Sequence, residues 1–244
     1  MSSREIAAKD ASAAVPLLLR KGVTAMEKKR LRFQKTGNIA FISHLDLMHT
    51  FSRAFSRAGL ALKYSEGFNP RPVMSSPFPL SVGQESLCEI LDITLKNEIP
   101  DDKIKEMLSS KLPEGIKITD VYDQTIKSSL AKWIGVQFRL KYKQVPAECE
   151  NRIRALFDRE EIVISKRSKS GVLSDTDIKG NALFKSFEFS EDSCLLNTYL
   201  SASEPTVNPV AVISAFEKYD PELVPDYYTV TRTELYDRDL NIFR

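Results

Sequence analysis

The chain has 244 residues, of which 42% are hydrophobic and 28% are charged, and its formal net charge is +2. This composition is typical of a globular protein with its own core, and it excludes disordered and collagen-like chains. No apolar run approaches the roughly 20 residues that a membrane-spanning helix needs. The three cysteines are isolated and lack metal-ligand spacing. We therefore expect a cytoplasmic protein without a metal, another cofactor or a membrane contact.

The first half reads as alternating strands and helices after a weakly structured leader over residues 1–28. Alternating apolar and polar residues predict strands at 30–36, 60–65, 87–95 and 115–123, and residues 38–42 would extend or pair with the first strand. Helical spacing predicts helices at 43–59 and 100–112. Ser43 and Asp46 form a capping pair for the first helix, and Gly59 ends it. The expected buried row of this helix is Leu45, Met48, Phe51, Phe55 and Ala58.

The second half repeats the same order with one extra strand. Strands are predicted at 133–143, 161–168, 182–190, 194–202 and 227–236, and helices at 146–158 and 208–219. The order β-α-β-β-α-β is that of the ferredoxin-like arrangement. The predicted fold is therefore α+β, with two tandem ferredoxin-like (βαββαβ) domains over residues 29–124 and 132–240.

The segment 61–83, ALKYSEGFNPRPVMSSPFPLSVG, holds four prolines between its other residues. Proline fixes φ and removes a backbone donor, so most of this segment is a stiff loop. Aromatic, amide and guanidinium groups together suit stacking on an unpaired base, reading its edge and holding a phosphate. The candidate RNA-binding residues here are Lys63, Tyr64, Phe68, Asn69 and Arg71. The alternative is a structural loop whose phenylalanines pack on the core.

The predicted first helix carries a second set of candidates. His49, Arg53 and Arg57 recur every four residues and form one positive row, which suits a phosphate backbone or simply solvent. His44, at the first position of the helix, is a candidate RNA contact or general acid–base, and otherwise a packed or surface histidine. The basic segment 165–171 is a further candidate phosphate contact. Dinucleotide, P-loop, HExxH and GxSxG motifs are missing from the sequence.

Several segments resemble the radical SAM-linked protein family, a group of bacterial proteins and domains without an established biochemical function. The resemblance runs from about Arg30 to Tyr236, and its landmarks are SHLD, YSEGFNPRP, DTDIKG and TRTELY. Some members are fused behind a radical S-adenosylmethionine domain, which implies a radical SAM partner. The chain has no closely spaced cysteine triplet for an iron–sulfur cluster, so it is not that enzyme itself.

The chain is also similar, more loosely, to CRISPR RNA-processing endonucleases built from tandem ferredoxin-like domains, in which a histidine near the first helix cleaves RNA without a metal. His44 stands in a comparable place, but YDPELVPDYY replaces the glycine-rich loop of that pattern. Three hypotheses follow. The first is a non-catalytic RNA-binding module that presents tRNA or rRNA, rather than DNA, to a radical SAM or other RNA-processing partner. The second is a metal-independent endoribonuclease using His44. The third is a protein-interaction adaptor whose proline-rich loop docks a radical SAM enzyme and which does not bind RNA.

Overall fold

The computed structural model describes residues 26–167, 173–190 and 193–244. Most of these residues lie in ten strands and four α-helices. The first half contains β1 (Glu27–Lys35), α1 (His44–Arg57), β2 (Met74–Ser75), β3 (Glu85–Leu95), α2 (Asp101–Ser109) and β4 (Ile116–Asp123). The second contains β5 (Trp133–Lys141), α3 (Cys149–Asp158), β6 (Val163–Arg167), β7 (Leu173–Asp177), β8 (Ala182–Ser190), β9 (Ser193–Ser201), α4 (Val210–Tyr219) and β10 (Tyr227–Tyr236). Within the described ranges, no helix is both long and apolar enough to cross a membrane.

One mixed sheet runs through both halves in the order β4-β1-β3-β10-β5-β9-β8, with β2 paired to β3. Within each half the neighbouring strands are antiparallel. The halves meet where β10 runs parallel to β3, with Thr231 opposite Glu85 and Arg232 opposite Ser86. β6 and β7 form a separate hairpin. The predicted mixture of helices with a sheet is confirmed, and the two segments predicted as domains share this sheet.

Two apolar clusters form the core: one lies in the first half, and the other lies mainly in the second half but also includes Cys88 and Ile90 of β3. In the first half, Phe33 of β1 meets Phe51 of α1 edge to face, with ring centroids 4.9 Å apart. In the second half, Phe138 of β5 is fully buried in a cluster that includes Ile153 of α3 and Phe216 of α4. Fully burying such a side chain stabilises the fold by about 1.5–3 kcal/mol. These contacts hold the helices on one face, so the polar positions of β5, β9 and β10 point to the other.

Three local predictions are wrong. Residues 38–42 lie mostly in a 3-10 turn (Gly37–Phe41) rather than in a strand. The strand predicted at 60–65 reduces to isolated bridges, of which Leu62 to Leu95 is the one to β3, because the chain leaves the sheet edge at Lys63. Leu45 is exposed, since the buried row of α1 is Leu47, Phe51, Ala54 and Phe55. The cap of α1 is confirmed, because the Ser43 hydroxyl accepts from the backbone N–H of Asp46 at 3.2 Å.

Candidate functional site

The proline-rich loop leaves the edge of β3 at a point where backbone hydrogen bonds join Lys63, Thr94 and Val73, which we call the neck of the loop. Lys63 donates its backbone N–H to Thr94 of β3 at 2.7 Å, and Thr94 donates its own to the carbonyl of Val73 at 3.3 Å. Val73 in turn donates to the carbonyl of Lys63 at 2.8 Å. Residues 64–72 are therefore an excursion from the edge of β3, and both of its ends are fixed on one residue of that strand.

Inside the neck the loop closes as a small hairpin. The backbone N–H of Ser65 donates to the carbonyl of Arg71 at 2.8 Å, and the N–H of Arg71 donates to the Ser65 hydroxyl at 3.0 Å. Gly67 has a φ of +120°, a conformation that favours glycine, and it turns the chain at the tip. Phe68 follows this turn and is fully exposed. The structural alternative, in which Phe68 and Phe78 pack on the core, is therefore wrong for Phe68, whereas Phe78 is partly buried and packs against the core.

The side chains predicted to bind RNA in this loop are close together in the chain and face solvent. Tyr64 is 43% exposed, and the Lys96 ammonium lies 6.0 Å from the centre of its ring. Asn69 and Arg71 are exposed, whereas Lys63 at the neck is partly buried. The loop thus presents two aromatic rings together with an amide and cationic groups, on a backbone held by hydrogen bonds.

Arg53 and Arg57 lie in a different place, on the exposed side of α1. The Arg57 guanidinium donates to the carbonyl of Lys111 at 2.7 Å. Both arginines line an open groove of about 560 Å³ between α1 and the segment that follows α2, and no loop residue is part of its lining. His49 is exposed on the same helix. The groove is a second cationic surface rather than an extension of the loop.

His44 begins α1 and is half-buried beside the cap formed by Ser43 and Asp46. The Ser43 hydroxyl donates to the Asp46 carboxylate at 2.7 Å, so both side chains are used in capping the start of the helix. Among the residues that the structure describes, no group of three or more His, Cys, Asp or Glu is placed to hold a metal ion. Residues 168–171 of the predicted basic segment 165–171 lie outside the described ranges.

Sequence reasoning missed a set of buried ion pairs at the junction of the halves. Arg232 of β10 donates to Glu89 of β3 at 2.7 Å, and both side chains are almost fully buried. Arg32 of β1 binds both carboxylate oxygens of Glu234 at 2.8 and 2.7 Å. In the sequence these charges have the same signature as exposed strand positions. The partners are 143 and 202 residues apart in the sequence and meet only in the folded sheet, so no local pattern reveals them.

A third ion pair lies within the first half. Arg30 of β1 binds Asp92 of β3 through two hydrogen bonds of 2.7 and 3.0 Å. Gln124, just after β4, donates to the same carboxylate at 2.7 Å. The Arg30 guanidinium lies 5.2 Å from the centre of the Phe243 ring. Residues after β4 and after β10 therefore cover this part of the sheet.

These features define a mixed α/β protein with a stiff, exposed loop at the edge of a sheet that its two halves share. A family model described as "Uncharacterized protein conserved in bacteria (DUF2344)" matches residues 28–209. The chain belongs to this family.

No curated protein matches the chain. Among solved structures, the chain is similar to an unknown protein from Galdieria sulphuraria. The match covers 87% of this chain and 98% of that one, at 10% sequence identity and a TM-score of 0.26. Similarity at this level has no bearing on fold or function.

Proposed function

We propose that the chain is an RNA-binding module that presents structured RNA, such as tRNA or rRNA, to a radical SAM partner or another RNA-processing protein. The observation that supports it best is the loop at residues 64–72. Its tip exposes Phe68 fully to solvent, and its backbone is fixed by hydrogen bonds. Because the loop is already ordered, it loses little conformational entropy on binding. Stacking of one base on an aromatic ring contributes about 1–3 kcal/mol.

The cations around the loop supply the sequence-independent part of the interaction. Lys63 and Arg71 flank the hairpin, and Lys96 lies over the Tyr64 ring. Arg53 and Arg57 add a second positive surface in the groove beside α1. Two separate cationic surfaces suit a folded RNA, because such an RNA offers phosphates over a wide area. The position of His44 at the start of α1 adds a polar contact in this proposal.

The proposed radical SAM partner rests on the resemblance of SHLD and YSEGFNPRP to the radical SAM-linked family. In the same proposal, the two halves are divergent ferredoxin-like units. The strand order β4-β1-β3-β2 in the first half parallels β10-β5-β9-β8 in the second, and the β6–β7 hairpin is an addition to the latter.

The test compares charge loss at the loop with equal charge loss elsewhere. Fluorescence anisotropy measures binding of the purified protein to a bulk tRNA fraction and to rRNA fragments across a range of salt. The Lys63→Ala/Arg71→Ala variant should bind more weakly. Its plot of log affinity against log salt should also be less steep, by about 1 for each phosphate that the variant no longer neutralises. The matched control is Lys103→Ala/Lys117→Ala, which removes two exposed lysines from α2 and β4.

Equal binding by the two double variants would show that the loop is not the RNA site. Crosslinking in the native cells, followed by sequencing of the attached RNA, then names the ligand. Enrichment of one tRNA or rRNA region that disappears in the loop variant supports the proposal. Enrichment no greater than for an unrelated protein contradicts it.

A protein adaptor is the second candidate, because an exposed apolar patch lies near the start of α1. Phe41, Leu45 and Val82 are 70%, 58% and 60% exposed. The Phe41 ring lies against Gly83, where an added Cβ would be 3.7 Å away. Exposed apolar patches of this kind mark protein contacts. A protein captured by the wild type after nuclease treatment, and absent with Phe41→Glu/Leu45→Glu, would favour the adaptor over the RNA-binding module.

A further inference from the structure

In the part of the chain that the structure describes, no helix covers the face of the second half of the sheet that lies opposite α3 and α4. We call this face the open face. Val136 and Phe138 of β5 point into the helix-covered core. The alternate positions Gly135, Gln137 and Arg139 therefore face the other way. Cross-strand partners share a face, so this open face also includes the residues opposite them on the neighbouring strands. These partners are Thr229, Thr231 and Glu234 of β10 and Leu195, Asn197 and Tyr199 of β9.

Two tyrosines form a joined aromatic platform on this face. The rings of Tyr199 and Tyr236 meet edge to face, with centroids 5.3 Å apart at 87°. They come from strands on either side of β5, and Gly135 lies between them. A Cβ on Gly135 would approach the Tyr236 ring to 3.1 Å and the Thr233 hydroxyl to 2.7 Å. The ring of Tyr236 therefore lies across the backbone of β5 in space that only glycine leaves.

A polar row continues from the platform along the same face. Gln137 donates its side-chain amide to Asn197 at 3.1 Å, and Asn197 donates to the Ser186 hydroxyl at 3.1 Å. Each side-chain amide has two donor hydrogens and an acceptor oxygen with two lone pairs. The row therefore keeps hydrogen-bonding capacity toward a ligand, beside rings on which a planar group can stack.

The charges on this face favour an anionic ligand. The Lys185 ammonium lies 5.1 Å above the Tyr199 ring, and Arg139 donates to the Ser193 hydroxyl at 3.0 Å. Among the described residues of these strands, two carboxylates lie on this face. Glu188 lies opposite Leu195, and Glu234 is neutralised by Arg32 at 2.7 Å.

We propose that this open face binds unpaired bases of single-stranded RNA, with Tyr199 and Tyr236 as the stacking platform. Lys185 supplies a phosphate contact, and Gln137 and Asn197 contact base edges. Unpaired bases can use aromatic rings for stacking, amides for hydrogen bonds to base edges and cations for phosphate contacts. A duplex hides its base faces, so it cannot stack on these rings. The inference rests on the proposed RNA function, but it does not depend on the loop, which lies in the other half of the chain.

The single tryptophan of the chain makes the test direct. Trp133 is directly opposite Tyr236 in the sheet, so an RNA that stacks on the platform should change its emission. The probe is a labelled single-stranded RNA of about 12 nucleotides, within the range bound by one nucleic-acid-binding domain. Emission of Trp133 and anisotropy of the label are followed together in one titration.

The variants distinguish the contribution of each tyrosine ring to RNA binding from that of its hydroxyl. They also distinguish the contribution of the platform from that of the loop. Tyr199→Ala and Tyr236→Ala should each weaken binding about tenfold, whereas Tyr199→Phe and Tyr236→Phe should bind like the wild type because they keep the ring. Lys185→Ala, at an exposed position, should weaken binding without any effect on folding. Phe68→Ala should leave the Trp133 response unchanged. Photocrosslinking of the wild type should attach the RNA to peptides containing Tyr199 or Tyr236.

Three outcomes would overturn the inference in distinguishable ways. If RNA binds but depends only on Phe68, Lys63 and Arg71, the open face is not a site and the proposed function stands. If neither single-stranded nor folded RNA binds, the inference and the proposed function both fail. If the open face captures a protein in nuclease-treated lysate and no RNA, this face belongs to a protein interface instead.

Discussion

Removing the Asp92 carboxylate should destabilise the protein far more than removing an ordinary surface charge. The Arg30 side chain that it binds is fully buried, and Asp92 itself is only 10% exposed. In Asp92→Ala the guanidinium loses two hydrogen bonds and Gln124 loses a third. A hydrogen bond to a charged group contributes about 1.5–3 kcal/mol, and removing one partner of a buried ion pair costs about 3–5 kcal/mol. We therefore expect a loss of about 3–5 kcal/mol in the free energy of unfolding.

The assay is urea unfolding followed by far-ultraviolet circular dichroism, with the midpoint and slope fitted for each variant. In a thermal scan the same loss lowers Tm by roughly 6–20 °C for a chain of this size. Glu150→Ala is the control, because the Glu150–Arg154 pair is exposed and spans one turn of α3. Its removal should cost about 0.3–0.5 kcal/mol.

A double variant shows how much of the lost stability comes from leaving the Arg30 charge buried without its carboxylate partner. In Arg30→Met/Asp92→Leu, neither a buried cation nor a buried anion remains, so most of the lost stability should return. A loss below about 1 kcal/mol for Asp92→Ala, the range of exposed pairs, would contradict this prediction. It would mean that water reaches Arg30 and replaces the carboxylate.

Three further predictions concern thiols, pH and catalysis. The three cysteines, Cys88, Cys149 and Cys194, are all buried, and burial raises the pKa of the Cys88 thiol to about 12. A thiol reagent at neutral pH should therefore modify them only after unfolding, and prompt reaction of the native protein would contradict this burial. Backbone N–H groups of Lys179 and Ile162 donate to Asp177 and lower the pKa of its carboxyl. Its stabilising effect is therefore present above the ordinary aspartate pKa and is lost as pH falls through the lowered value. The stability difference between the wild type and Asp177→Asn should shrink over that acidic range, and a difference that is the same at every pH would exclude the charge as its cause. Finally, a non-catalytic module should not cleave RNA in EDTA, and EDTA-resistant cleavage that His44→Ala abolishes would establish the endoribonuclease instead.

Local chemistry predicted the helices better than the edge of the sheet. The hydroxyl of Ser43 and the spacing to Asp46 specify the start of α1 because capping involves only neighbouring residues. The strand predicted at 60–65 had suitable side chains, but whether a backbone pairs depends on β3, far along the chain. The chain meets β3 at Leu62 and then leaves it for the loop. Strand propensity does not predict where the pairing with β3 stops, because it depends on the side chains of the strand and not on its partner strand.

The sequence predicted the loop of the candidate site, but it did not predict which side chains from other segments lie next to one another on the surface. Four prolines indicated a stiff segment, and the hydrogen bonds around Ser65 and Arg71 agree with that prediction. The separation of Arg57 from the loop, and the meeting of Tyr199 with Tyr236, depend on how distant strands are ordered. Buried Arg30 looked like any exposed basic residue of an alternating strand. Among the residues that surround it is Phe243, which lies at the other end of the chain.

The shared sheet also determines how the protein would behave if it were cut in two. A break in the connection at residues 124–132 would leave the β3–β10 ladder and the Arg232–Glu89 and Arg32–Glu234 ion pairs among the contacts that hold the fragments together. Alone, each fragment would expose an unpaired strand edge and a charge without its buried partner. We expect the two fragments to fold only when they are produced together and to copurify as a reconstituted complex. Each half would thus act as the folding template of the other.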